Sequence, residues 1–313
     1  MDAINGISIV IPVFNCERYI ASTLDSILQN TKEIEHEVIV VNDGSTDSTT
    51  KILENYKDHI RIIEQENQGE AAAVNTGVSM SAMKYALILS ADDPCPDSEL
   101  FANAIDILDK NQGIVCVYPD WRILDEDGRQ LLEIATREFS RKTLVEDFLC
   151  IPGPGSIFRV SSFKSVGGRN PQIKFISDYE FWVRLSTIGS FRRIPKNLAY
   201  WRSHSDSISI RERSGAMAKE RVSVMQEFFL NNRDMEISQN RTMANVYFSS
   251  AQLCFYAGRI PAKRFLLKSI ILDPCGLRKR NVAHLVFIIL LPISKSLYQI
   301  YLRLRQKVAR VNA

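Results

Sequence analysis

The chain has 313 residues, 45% hydrophobic and 24% charged, enough to bury a sizeable core in one large domain or two modest ones. Its six cysteines (Cys16, Cys95, Cys116, Cys150, Cys254 and Cys275) show no close pairing, so neither a zinc site nor a disulfide scaffold is indicated and a reduced cytoplasmic chain is expected. The net charge of +3 conceals an asymmetry: residues 1–210 carry 21 Lys and Arg against 30 Asp and Glu, and residues 211–313 carry 18 against 6, which marks a boundary and a basic region suited to an anionic partner.

The amino terminus opens almost directly on strand pattern, without the basic, apolar, small-residue series of a signal peptide. Ile7–Pro12 is β-branched and apolar, ending at a proline that cannot continue a ladder: a buried strand. Tyr19, Ile20, Leu24, Ile27 and Leu28 then recur at helical spacing. Glu37–Val41 predicts a second strand, running into a polar turn, Asn42–Thr49, that can cap a helix beginning near Ser48. Arg61–Ile63 predicts a short strand, Gly69–Ser81 a small-residue helix, and Tyr85–Leu89 a buried strand ending at Asp92-Asp93-Pro94. Alternation of strand and helix predicts right-handed βαβ units and a mainly parallel sheet. Further on, the pattern predicts a helix over Leu100–Leu108, a strand over Ile114–Tyr118, a hairpin turn at Asp125–Gly128 and a strand over Ser156–Arg159. A helix over Ser177–Ile188 and a strand over Leu198–Arg202 complete this part, and composition from Arg211 onward is helical.

Four features point to chemistry. Asp92 and Asp93 stand at the carboxyl end of a buried strand, where open α/β sheets bind ligands, and adjacent carboxylates call for a shared cation. An Asp-Asp-Pro surface turn is the alternative. Asp178, in the first turn of its helix, is placed either as a general base or as an acid favoured by the macrodipole. Asp43 suits either a nucleobase contact or a capping turn, and His204 either a ligand or a packed side chain. No Gly-x-Gly-x-x-Gly follows the first strand and no Gly-x-x-x-x-Gly-Lys-Ser/Thr occurs, which disfavours dinucleotide and P-loop readings.

In order and spacing, Ser8-Ile9-Val10-Ile11-Pro12-Val13-Phe14-Asn15, Val40 to Asp47, Asn67-Gln68-Gly69 through Asn75-Thr76-Gly77, Ser90-Ala91-Asp92-Asp93 and Asp178-Tyr179-Glu180 resemble the family 2 glycosyltransferases of GT-A fold, across roughly residues 6–210. The resemblance implies an α/β GT-A fold with a mainly parallel central sheet, residues 1–100 forming a nucleotide-sugar half and 101–210 an acceptor half, with residues 211–313 a helical region. It implies sugar transfer from a nucleotide-activated donor, with inversion at the anomeric carbon. By the same resemblance Pro12, Val13, Phe14, Asn15, Asp43, Asn75, Asp92 and Arg202 bind the nucleotide sugar, and Asp178 takes the acceptor proton. Asp93, with Asp92 and His204, holds Mn²⁺ or Mg²⁺, Asp93 being favoured for the metal and Asp92 for ribose or a shared contact. Two departures stand out: Ser90 replaces a leading Asp, and Val74 replaces an arginine common in relatives, which leaves phosphate neutralisation to the metal, Arg202 or His204.

The expected acceptor is a surface-polysaccharide or lipid-linked glycan precursor, with no nucleic-acid partner and with a homo-oligomer left open. Leu285–Ile293 is too short to span a bilayer, which takes about 20 residues. The basic amphipathic stretch beyond it suits either an anionic leaflet, at the inner face of the cell membrane, or packing on protein. A nucleotidyltransferase of related architecture and a catalytically silent nucleotide-sugar-binding protein are the alternative functions.

Overall fold

A computed structural model describes residues 3–204, 215–232, 236–256 and 261–278. The chain forms two compact units, Met1–Arg211 and Glu212–Ala313. In the first, strands β1 (Ile4–Val13), β2 (His36–Asp43), β3 (Arg61–Gln65) and β4 (Met83–Ile88) run parallel in the order β3-β2-β1-β4. Ile7, Ile9, Val10 and Ile11 are all fully buried, because a central parallel strand is covered on both faces and so needs a continuous apolar run. Helices α1 (Ile20–Asn30), α2 (Thr49–Leu53), α3 (Glu70–Ser79) and α4 (Ser98–Lys110) are the crossovers and flanks. The side chains of α1 and α4 join β1, β2 and β4 in the larger core cluster, while Ala73 of α3 packs with Ile39 and Val41 in a smaller one.

Beyond β4 the sheet turns mixed. β7 (Ile157–Arg159) is antiparallel to β4 and to β5 (Ile114–Leu124), and β5 forms an antiparallel hairpin with β6 (Gln130–Ile134). β8 (Ser190–Arg202) runs parallel to β5 along its whole length, from Ile114↔Ser190 to Leu124↔Arg202. Both long strands exceed the sequence expectation. β5 continues through Pro119 because the register shifts between Pro119 and Asp120, the local irregularity at which a strand accepts proline. β8 carries charged residues into the sheet because Arg193 Nη2 meets Asp120 Oδ2 of β5 at 2.7 Å. Short helices α5 (Arg141–Val145) and α6 (Val160–Ser165), which the sequence pattern did not announce, precede α7 (Ser177–Ile188).

The second unit contains helices Gly215–Asn231, Gln239–Tyr256 and Pro261–Leu272. Ser250 Oγ donates to the Ala218 carbonyl at 3.2 Å and Ser269 Oγ to the Ala244 carbonyl at 2.7 Å, so successive helices approach closely through small residues. No helix among the described residues is long and apolar enough to cross a membrane. The apolar run Leu285–Ile293 and the basic stretch after it lie outside the described residues.

Candidate active site

Four parallel strands end at one edge of the sheet, and the residues following them form the floor of the site. After β1 the chain turns at Asn15, whose φ of +49° lies in the left-handed region that asparagine tolerates better than most residues. Asn15 Oδ1 accepts from the Thr46 amide at 2.7 Å, and the Asn15 amide donates to Ser45 Oγ at 3.0 Å. Glu17 and Asp47 exchange further bonds with the backbone of Ser48, Glu17 and Thr49, which locks the β1 and β2 loops together. Val13 is buried, whereas Phe14 beside it stands 49% exposed and Pro12 is half-buried. Asp43, buried at the end of β2, accepts from Gln65 Nε2 (2.7 Å), the Gln68 amide (2.9 Å) and the Gly69 amide (2.8 Å). Its carboxylate therefore fixes the turn that leads into α3, and lone pairs beyond these three bonds are left for a ligand.

Asp92 and Asp93 follow β4 and differ sharply in setting. Asp93 is 4% exposed and its Oδ1 accepts from the Arg202 amide at 2.6 Å. Burial, then the Asp92 charge, push its carboxyl well above the usual carboxylate range against the opposing pull of Arg202. Asp92 turns to His204, with Oδ2 at 2.7 Å from His204 Nε2, although the two residues are 112 positions apart. Arg202 Nε donates to the Asp92 carbonyl at 2.8 Å, so the end of β8 is fastened to the acid pair by both backbone and side chain. The Tyr19 ring carries His204 at 4.7 Å between centroids and the Arg202 guanidinium at 5.2 Å. The two carboxylates thus have different partners, Asp92 the His204 imidazole and Asp93 the Arg202 amide.

These residues fit a divalent cation. A carboxylate oxygen and an imidazole nitrogen stand side by side, next to a second carboxylate whose ionisation is opposed by burial and by the Asp92 charge. Among the described residues no set of three or more His, Cys, Asp or Glu side chains is arranged as a metal cage.

Asp178 lies in the first turn of α7 and is exposed to solvent. Desolvation raises its carboxyl above the ordinary range, Arg169 opposes that rise and Glu70 adds to it. Arg169 itself is only 6% exposed, and its Nη1 donates to Glu70 Oε1 at 2.7 Å. Asn75 does not face outward from α3. Its Nδ2 donates to the Arg169 carbonyl at 2.7 Å and its Oδ1 accepts from the Arg169 amide at 2.8 Å. Both halves of that side-chain amide are thus engaged by protein. Val74 is fully buried in the core.

A profile described as glycosyl transferase family 2 matches residues 8–167, just over half the chain. The chain belongs to glycosyl transferase family 2. Chondroitin synthase of Escherichia coli is 33% identical over 213 residues, covering 66% of this chain and 30% of that protein. Hyaluronan synthase of Pasteurella multocida is 31% identical over 211 residues, covering 66% and 21%. An uncharacterised glycosyltransferase of Rickettsia prowazekii is 31% identical over 195 residues, covering 59% of each. The chain therefore spans from about a fifth to about three fifths of the length of these relatives. Among solved structures it resembles S. aureus TarS 1-349 in complex with UDP-GlcNAc, with a TM-score of 0.62 and 17% identity over 85% of this chain and 79% of that one. It also resembles the mannosyltransferase PcManGT of Pyrobaculum calidifontis in complex with GDP-Man and Mn²⁺, with a TM-score of 0.54 and 16% identity over 91% and 85%. At these identities the likeness carries the fold, which is the GT-A arrangement expected from the motifs.

Proposed function

We propose that this family 2 chain transfers a sugar from a nucleotide-diphosphate sugar to a hydroxyl of a growing glycan, with inversion at the anomeric carbon. The observation that carries this reading is the meeting of Asp92 and His204 at 2.7 Å beside the ends of the parallel strands, with Asp178 exposed on a separate helix. The nucleotide sugars named for the two structural neighbours support the donor class, and the synthases among the relatives support a polysaccharide acceptor.

In this reading, exposed Phe14, half-buried Pro12 and the interlocked Val13–Asn15 and Asp43 loops form the floor for the nucleoside. Asp92 and His204, with Asp93 behind them, hold Mn²⁺ or Mg²⁺, which when bound neutralises the charge of the diphosphate leaving group. Arg202 fixes the backbone that presents them. Asp178 takes the proton of the acceptor hydroxyl as its oxygen forms the new bond to the anomeric carbon and the bond to the diphosphate breaks. Asn75 acts on the donor only indirectly, by holding the Arg169 segment. Residues 1–100 then form the nucleotide-sugar half and 101–210 the acceptor half. Location at an anionic inner membrane face rests on the charge of residues 211–313 alone.

Incubation of the full chain with UDP-GlcNAc or GDP-mannose, Mn²⁺ and a glycan acceptor tests this. Nucleoside diphosphate should appear in step with glycosylated acceptor. Release of pyrophosphate instead would identify a nucleotidyltransferase.

A further inference from the structure

Helix α1 faces the acid pair with a row of polar side chains. Thr23, fully buried, donates its hydroxyl to the Ala91 carbonyl at 2.9 Å, immediately before Asp92. Ser26 Oγ accepts from the Cys95 amide at 2.9 Å, and Asn30 Nδ2 donates to the Pro96 carbonyl at 3.1 Å. These residues are three and four apart and so share one side of the helix, and Tyr19, four residues before Thr23, stands at the head of that row. Its own backbone is held: the amide donates to the Cys16 carbonyl and the carbonyl accepts from the Thr23 amide, both at 3.1 Å. The Tyr19 ring, almost entirely buried, lies 4.7 Å from the His204 ring between centroids, with 39° between the planes, and has the Arg202 guanidinium 5.2 Å from its centroid. Both of those partners return to Asp92, His204 with Nε2 at 2.7 Å from Oδ2 and Arg202 with Nε at 2.8 Å from the carbonyl. Tyr19, His204, Asp92 and Arg202 thus close a ring of contacts, and Thr23 ties the same helix to the same loop.

We propose that Tyr19 is a positioning residue of the cation site: its ring, carried on a helix bonded to the Asp92 loop, holds the His204 imidazole in the plane that keeps Nε2 beside Asp92. This rests on the reading of Asp92 and His204 as the cation ligands. An imidazole presents its lone pair only within the plane of its ring, and one hydrogen bond to a carboxylate leaves that plane free to turn about the bond. A second ring packed against it removes this freedom, the service that outer partners give to metal-bound histidines. The Arg202 guanidinium is drawn to the same π-system, so one side chain sets both groups that arrive from the end of β8. Core packing calls for no more than apolar neighbours, whereas the Tyr19 ring meets an imidazole and a guanidinium that both bond Asp92.

The full chain is titrated with MnCl₂ at a fixed excess of UDP or of GDP, and the Mn²⁺ concentration that gives half of the nucleotide's melting shift is read for each variant. Tyr19→Leu should raise that concentration by about 10- to 100-fold, the usual cost of losing a partner that orients a metal ligand. Tyr19→Met, which fills more of the buried space without a ring, is run beside it and should give the same rise. Tyr19→Phe keeps the ring and should stay near the wild-type value. Gly77→Ala, destabilised away from this site, is the control: a lower melting temperature with an unchanged Mn²⁺ midpoint. The same pattern in Tyr19→Leu and Tyr19→Met would mark a merely structural ring and overturn the inference. An equal rise in Tyr19→Phe would also overturn it, by assigning the effect to the hydroxyl. A wild type without any Mn²⁺-dependent shift, or a His204→Ala that retains it, would bring down the cation reading and the inference together. Loss of the shift in His204→Ala with unchanged midpoints in Tyr19→Leu and Tyr19→Met would bring down the inference alone.

Discussion

As the proposed base, Asp178 would act only while ionised, and desolvation opposes its ionisation. Its raised titration point has a definite sign in catalysis: the competent form is lost as pH falls through that point, so transfer should decline on the acid side at a higher pH than an ordinary aspartate would give. Initial rates at saturating donor between pH 4 and 9 check this. Asp178→Asn should lower kcat by about 10²- to 10⁴-fold while the donor-dependent melting shift persists. At this scale, residues acting through local chain pattern were legible in the sequence: Asp92 and Asp93 follow a buried strand, Asp43 ends another, and Asp178 opens a helix. The bracing of the Arg169 segment was not, because it depends on contacts with Asn75 and Glu70, 94 and 99 residues away. The different partners of Asp92 and Asp93 were hidden for the same reason, as they are set by where Arg202 and His204 arrive.

Helices and strands hold the site through contacts that can be broken singly. Asp109 of α4 accepts from Lys84 and Tyr85 of β4, at 2.6 Å for the tyrosine, and from Asn5 of β1 at 3.1 Å. These bonds, Lys84 first, hold its carboxyl down at about 2. The stability they add is present above the unfolded aspartate value and is lost as pH falls from there toward 2. Asp109→Asn should therefore cost about 1 kcal/mol near neutrality, discounted for partial exposure, and nothing by pH 2 in chemical unfolding. Gly77 of α3 lets that helix lie flat on the sheet, since a Cβ there would come within 2.3 Å of Val10 Cγ1. Gly77→Ala should lower stability by about 1–3 kcal/mol despite alanine's better helix propensity, and the urea midpoint checks it. The parallel half of the sheet was legible because its strands are short, apolar and bounded by turns. β5 and β8 were longer than their pattern because a register shift at Pro119 and the Asp120–Arg193 pair admit residues that read as strand ends.

For the whole molecule, a mainly acidic GT-A unit and a basic helical one divide the work in the proposed scheme. The full chain should sediment with vesicles containing phosphatidylserine more than with neutral ones, and the difference should shrink as salt is raised. Equal binding to both vesicle types would remove the membrane from the scheme and leave the transferase reading intact. The central claim is that Asp92 and His204 form a cation-dependent site for a nucleotide sugar, and its most direct test is the melting temperature of the chain with UDP or GDP, with and without Mn²⁺. A ligand at 100 times its Kd adds about 2.7 kcal/mol to the native state. One of the two nucleotides should raise the melting temperature only when Mn²⁺ is present, and Asp92→Asn and His204→Ala should each abolish the rise. A nucleotide shift of equal size without metal, or one that survives both substitutions, would contradict the account.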